Sequence, residues 1–299
     1  MTDKIRARYR GGVLEPLEPL HLAEGTELWL SLEPLTADDE ARPFWCAEVR
    51  ALSALFCWRP RAPGPGQPGV AGWRLRWADR PVLLGDGEDE GEGIPLSQAP
   101  ELAWLGPEPG SLLCRELPLL PSPRPRRLYF ALEQLDERGG QTPLGVAWAD
   151  VPAATVAFRD APEAPEEWHP EATWGRIDEG PRRGVWTDSP QGDYPNNANY
   201  SLTSRPVSLE GLRRCALFFE EKHALEEESD FCLLEIASAD QVWMPLASFT
   251  GMSGWSRRRY DLSAYDGQVV RLRFRIRTDR SVTRDGYYLW DVCIAGEPA

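Results

Sequence analysis

From Trp255 to Ala295, apolar and polar positions follow the two-residue period of β-strands, interrupted by turn signals at Asp266-Gly267 and Asp285-Gly286. The middle of this stretch is the strictest: Val270, Leu272, Phe274 and Ile276 alternate with Arg271, Arg273, Arg275 and Arg277. One side of that strand is apolar and the other carries four guanidiniums, as on the face of a β-sandwich. Upstream come Val207–Leu209, a core strand at Cys215–Glu220 and the segment Leu225–Ile236. Earlier still come Glu48–Trp58, Ala71–Trp77, Leu112–Leu117, Arg127–Leu135 and Leu144–Val151. Near the start, Ile5, Ala7 and Tyr9 alternate, Gly11-Gly12 turns the chain, Val13 and Leu14 resume, and Leu28, Leu30 and Leu32 alternate again.

Three units follow: a β-hairpin at 1–34, a sandwich at 43–155 and a second sandwich at 168–297. The linkers between them are Leu35–Pro43 and the Pro/Glu stretch Asp160–Glu167. Arg59–Gly69 and Gly85–Gly93 are predicted to be mobile loops, and strand register across 78–111 stays open. Composition strengthens the all-β expectation: 28 Pro and 26 Gly break up helical patterns, while 13 Trp, 8 Tyr and 9 Phe favour strands.

Charge and cysteines narrow the class. The arginine row could track phosphates, but a net charge of -14 favours a solvated face balanced by carboxylates on neighbouring strands, with no nucleic acid as partner. The six cysteines are far apart and show no C-x-x-C, so buried thiols are expected rather than a disulfide framework. A charged N-terminus and the lack of any run of roughly 18 apolar residues point to a cytoplasmic protein without a membrane span.

Several segments resemble known families. The closing order W…DLSAY-DGQ-V-LRF…DGYY-L-W-D-V, preceded by Asn199-Tyr-Ser-Leu-Thr-Ser204, resembles the jelly-roll domains of immune inhibitor A-like and MAM-type proteins. Trp58, the Trp73–Leu75–Trp77 alternation and Tyr129–Leu135 followed by Asp136–Gly140 resemble a fibronectin type III sandwich. Residues 1–34, through Gly12-Val13, Pro16-Leu17 and Glu24-Gly25, resemble a short prokaryotic antitoxin-like hairpin family, which implies a bacterial source.

The jelly-roll resemblance implies a Ca²⁺ site at one edge of the sandwich. Glu226, Asp230 and Asp291 fall on its ligand positions and Asp285 lies close by. Trp290 stands where the first Asp of a closing pair belongs and removes one ligand, so a cation site and an empty, charge-balanced corner are both open readings. No other cofactor is required. Jelly rolls also present aromatic platforms to sugars, which makes Tyr194, Tyr200, Tyr287 and Trp290 candidate ligand-binding residues, with burial in the core as the competing reading.

No catalytic arrangement emerges. His21, His169 and His223 lie in three different units, and no G-x-S-x-G, H-E-x-x-H or phosphate-cradling loop occurs. The expectation is a non-catalytic protein-interaction scaffold, with oligomerisation or partner docking through residues 1–34. The alternatives are a regulator or inhibitor in a bacterial defence or toxin-antitoxin-like system, and a carbohydrate-binding accessory module.

Overall fold

The computed structural model describes residues 7–10, 13–16, 43–64, 66–83, 94–96, 99–106, 112–162, 167–238 and 242–299. The chain divides into two units, Met1–Ala41 and Arg42–Ala299. In the first, β1 (Ala7–Arg10) and β2 (Val13–Pro16) pair antiparallel with Arg10 opposite Val13. The predicted Gly11-Gly12 turn falls between them, outside the described residues. The alternation read at Leu28–Leu32, most of the Leu35–Pro43 linker and the Gly85–Gly93 loop lie outside the described residues.

The second unit contains two sandwiches. The first is built from β3 (Phe44–Val49), β4 (Ser53–Trp58), β5 (Val70–Ala78), β6 (Val82–Leu83), β7 (Ile94–Pro95), β8 (Glu101–Leu105), β9 (Leu113–Pro118), β10 (Arg126–Asp136) and β11 (Gln141–Val151). A three-stranded sheet, β3-β4-β9, faces a four-stranded one, β11-β10-β5-β8. Between them Phe56 meets Phe130 edge-on at 4.7 Å and Trp58 meets Trp73 at 5.6 Å. Each such ring contributes about 1.5–3 kcal/mol by leaving water.

One sequence expectation changes here, and one register left open is filled. Glu48–Trp58 is not one strand: the chain turns at Arg50–Leu52, with the Arg50 amide bonded to the Ser53 carbonyl, and returns as β4. The 78–111 insertion supplies β8, which pairs with β5, and a cover over the outer face, where Val82, Leu96 and Ala99 pack on Ala78 and Ala131.

The second sandwich uses β12 (Thr155–Arg159), β13 (Trp168–Pro170), β14 (Gly175–Glu179), β15 (Arg182–Thr187), β16 (Asn199–Ser204), β17 (Val207–Ser208), β18 (Leu212–Ala224), β19 (Phe231–Ala237), β20 (Met244–Phe249), β21 (Met252–Asp261), β22 (Val269–Arg277) and β23 (Gly286–Pro298). One sheet runs β14-β15-β23-β18-β21, with β12 added beside β23; the other runs β13-β16-β22-β19-β20, with β17 beside β22. The alternating strand is β22. Its Val270, Leu272, Phe274 and Ile276 are fully buried. On its other side Arg273 and Arg275 both bind Glu235 of β19, at 2.6 and 2.9 Å. Burial opposes ionisation of Glu235, but the Arg275 and Arg273 hydrogen bonds hold its carboxyl below the ordinary value.

Because Thr155 pairs with Gly296, this sandwich begins before the Pro/Glu stretch. Asp160–Glu167 is therefore a connection within the sandwich, not a linker between domains. Asp160 anchors it by accepting hydrogen bonds from Trp168 Nε1 at 2.9 Å and Arg176 Nη2 at 2.6 Å. The two sandwiches meet in a small apolar seam, in which Ala51, Leu52 and Ala154 pack with Ala216, Phe218, Cys293 and Ala295. Glu297 ties the same seam, accepting the Ala51 amide and pairing with Arg214. The six thiols form no disulfide. Among the described residues, no helix is long and apolar enough to cross a membrane.

Candidate functional site

Three carboxylates converge at one end of the second sandwich. After β18 the chain makes a tight turn in which the Asp230 amide bonds to the Glu226 carbonyl at 3.0 Å and Glu228 takes φ 61°. Thr250 locks that turn, donating to the Glu226 carbonyl and accepting the Glu228 amide. Asp230 is fully buried. Its Oδ2 accepts the Tyr194 hydroxyl at 2.6 Å, and its Oδ1 accepts the Asp279 amide at 2.8 Å. The Tyr194 hydroxyl in turn accepts the Glu226 amide at 3.0 Å.

This network brings carboxylate oxygens of Glu226, Asp230 and Asp279 within 4.8 Å of one another. Glu226 Oε2 is buried without a hydrogen-bond partner. Three carboxylates so close repel one another unless a proton or cation intervenes, and an all-oxygen donor set suits a hard divalent ion such as Ca²⁺.

Two of the predicted ligands, Glu226 and Asp230, are thus brought together; Asp291 and Asp285 are not in this cluster. Asp291 sits at a β-bulge with φ 51°, where the register of β18 against β23 shifts between Phe218 and Glu220. The bulge places its carboxylate 2.8 Å from Arg159. Asp285 accepts the Tyr288 hydroxyl at 2.9 Å. Asp279, which completes the cluster, follows β22 and comes close only through the fold.

The predicted platform aromatics need a larger correction. Tyr194, Tyr200 and Tyr287 are buried, because their rings fill the sandwich core. Trp290 is half-buried, donating Nε1 to the Arg183 carbonyl at 3.1 Å under the Arg182 guanidinium.

Exposed tryptophans lie instead on the outer face of the four-stranded sheet in the first sandwich. Trp148 of β11 is 56% exposed and Trp104 of β8 is 53% exposed. Across the sheet Trp148 pairs with Tyr129, and the Arg127 guanidinium lies 4.2 Å from its ring centroid. Arg127 is held there by two hydrogen bonds to Asp150, at 2.7 and 2.8 Å. Trp104 lies against Gly72: a Cβ there would stand 3.1 Å from the indole and 2.4 Å from the Leu105 carbonyl, so glycine is needed for the contact. Strand spacings put the two indoles roughly 20 Å apart, with the covered Ala78–Ala131 strip between them.

Asp188 is a further residue that the sequence did not single out. It is fully buried; Oδ1 accepts the Tyr287 amide at 2.7 Å and Oδ2 has no partner. Burial, with a smaller push from Asp285, raises its pKa to about 7 against the pull of the Tyr287 amide.

Residues 1–44 match the AF2212-like family model. Over 161 residues, 50% of the chain, the sequence is 27% identical to Bacillopeptidase F of Bacillus subtilis (strain 168). That match spans only 11% of Bacillopeptidase F. Among solved structures, a family 29 carbohydrate binding module aligns with 48% of this chain and 89% of its own, at TM-score 0.32 and 14% identity. TmCBM61 in complex with beta-1,4-galactotriose aligns with 44% of this chain and 87% of its own, at TM-score 0.29 and 10% identity.

Proposed function

We propose that this chain is a non-catalytic binding protein and that carbohydrate is its ligand class. The observation that carries this reading is the Trp148 platform: an exposed indole fixed by Arg127, beside an Asp150 carboxylate. A sugar ring offers an apolar C–H face and a rim of hydroxyls. The first suits stacking on an indole, and the second suits charged hydrogen-bond partners. Trp104 adds a second aromatic surface on the same sheet. A glycan array with the full chain tests this: saturable binding that falls in Trp148→Ala supports it, and no glycan bound above background overturns it.

The protein-scaffold reading draws on the same two indoles, since exposed tryptophans also suit protein hot spots. A pull-down that Trp148→Ala abolishes, together with a blank glycan array, would favour it. The three-on-four strand arrangement of the first sandwich supports a fibronectin type III kinship. The Glu226–Asp230–Asp279 corner supports a Ca²⁺ of structural use, since it ties the β18–β19 turn to the segment after β22. Regulation within a toxin-antitoxin-like system rests on the hairpin segment alone.

A further inference from the structure

A cleft of about 310 Å³ lies where the two sandwiches meet. Its floor and walls are apolar: Trp77, Leu102, Leu119 and Leu128 come from the first sandwich and Phe218 from the second. Its charged lining is Arg126, Arg257, Arg258, Arg259 and a single carboxylate, Glu101. In a chain of net charge -14, a cleft with four guanidiniums and one acid reverses the overall sign.

The arginines are not equivalent. Arg257 is paired with Glu220, and Arg258 with Glu221. Glu101 is itself taken by Arg74 at 3.1 Å. Arg126 and Arg259 have no ion pair among the described residues. Arg126 Nη2 donates to the Leu120 carbonyl at 2.6 Å, while its Nε is buried with no acceptor. Burial without a counter-ion lowers the Arg126 pKa from its ordinary value. Arg259 lies 6.0 Å from the Phe218 ring centroid at the mouth of the cleft.

A half-buried guanidinium whose Nε lacks an acceptor carries a desolvation cost, and a ligand carboxylate placed against it would recover that cost. The apolar walls would meanwhile accept a hydrocarbon body, and the volume is that of a small-molecule site. Because the seam of Leu52, Ala154, Ala216 and Phe218 joins the sandwiches beside the cleft, its two walls are held in place before any ligand arrives. We infer that the inter-sandwich cleft is a binding site for a small amphipathic carboxylate, with Arg126 and Arg259 holding the anion and Trp77, Leu102 and Phe218 the apolar portion. This site is separate from the tryptophan platform and does not depend on the carbohydrate reading.

Isothermal titration calorimetry with 4-phenylbutyrate and its neutral amide, 4-phenylbutyramide, tests the inference. The acid is expected to bind once per chain and the amide roughly tenfold more weakly. Arg126→Gln should weaken the acid by roughly tenfold and leave the amide unchanged. Because Arg126 also supports the Leu120 carbonyl, Arg259→Gln serves as a second variant at an exposed position. It should weaken the acid by about threefold without moving the thermal midpoint. No binding of the acid to the native chain, equal binding of acid and amide, or unchanged acid affinity in both variants would overturn the proposal.

Discussion

Replacing Asp188 by Asn tests how a buried carboxyl sets the pH dependence of this fold. The side chain is fully buried, Oδ1 receives one amide, and Oδ2 has no partner. Burial raises its pKa to about 7 from an ordinary 3.8. A carboxyl with a raised pKa holds its proton more tightly in the folded than in the unfolded chain. Its effect on stability is therefore most favourable below pH 3.8 and is lost progressively as pH rises towards 7; above that both states are ionised and the folded state buries the charge. A shift of this size corresponds to about 4 kcal/mol across the whole window. Asn keeps the acceptor for the Tyr287 amide but cannot ionise. Relative to the native chain, Asp188→Asn should thus gain under about 1 kcal/mol at pH 4 and about 4 kcal/mol at pH 8, apart from any pH-independent offset. Urea unfolding followed by tryptophan fluorescence, at several values between those limits, measures the difference. A gap between the two proteins that stays constant with pH would refute the reasoning.

Three other outcomes are expected. Gly286→Ala should lower the thermal midpoint and cost more than about 2 kcal/mol, because φ is +99° and a Cβ would meet Ser189 Oγ at 2.3 Å and Asp188 Oδ1 at 2.5 Å. Glu235→Ala leaves two partly buried guanidiniums unpaired and should cost about 2–3 kcal/mol by chemical denaturation; a loss below about 0.5 kcal/mol would make the arginine row a merely solvated face. Millimolar Ca²⁺ should raise the thermal midpoint over that in chelator, by about 2.7 kcal/mol of stability at a hundred times Kd, and Asp279→Asn should shrink the shift; identical midpoints would remove the cation from the account.

Much of the fold was legible because β-strands write their burial into the sequence at a period of two. Val270 to Ile276 gave the core face directly. The failures have physical causes. A turn of three residues at Arg50–Leu52, without Gly or Pro, left two strands reading as one. The Asp160–Glu167 stretch has a linker's composition, yet Asp160 is held by Trp168 and Arg176. At the site, a bulge turned Asp291 towards Arg159, whereas the jelly-roll resemblance had placed it among the cation ligands. Asp279 joined that corner through loop packing, which no spacing encodes. Aromatics are the hardest case: Trp73 and Trp148 both sit in strands of the same sheet, and only the sheet's two faces decide that one is core and the other platform.

The measurement closest to the central claim is affinity electrophoresis of the native chain, Trp148→Ala and Trp104→Ala through gels containing soluble polysaccharides. At least one polysaccharide should retard the native chain. Trp148→Ala should then weaken that binding by about 1 kcal/mol or more while thermal stability stays within about 0.5 kcal/mol of native. Native mobility on every polysaccharide, or retardation that survives both substitutions, would contradict the account.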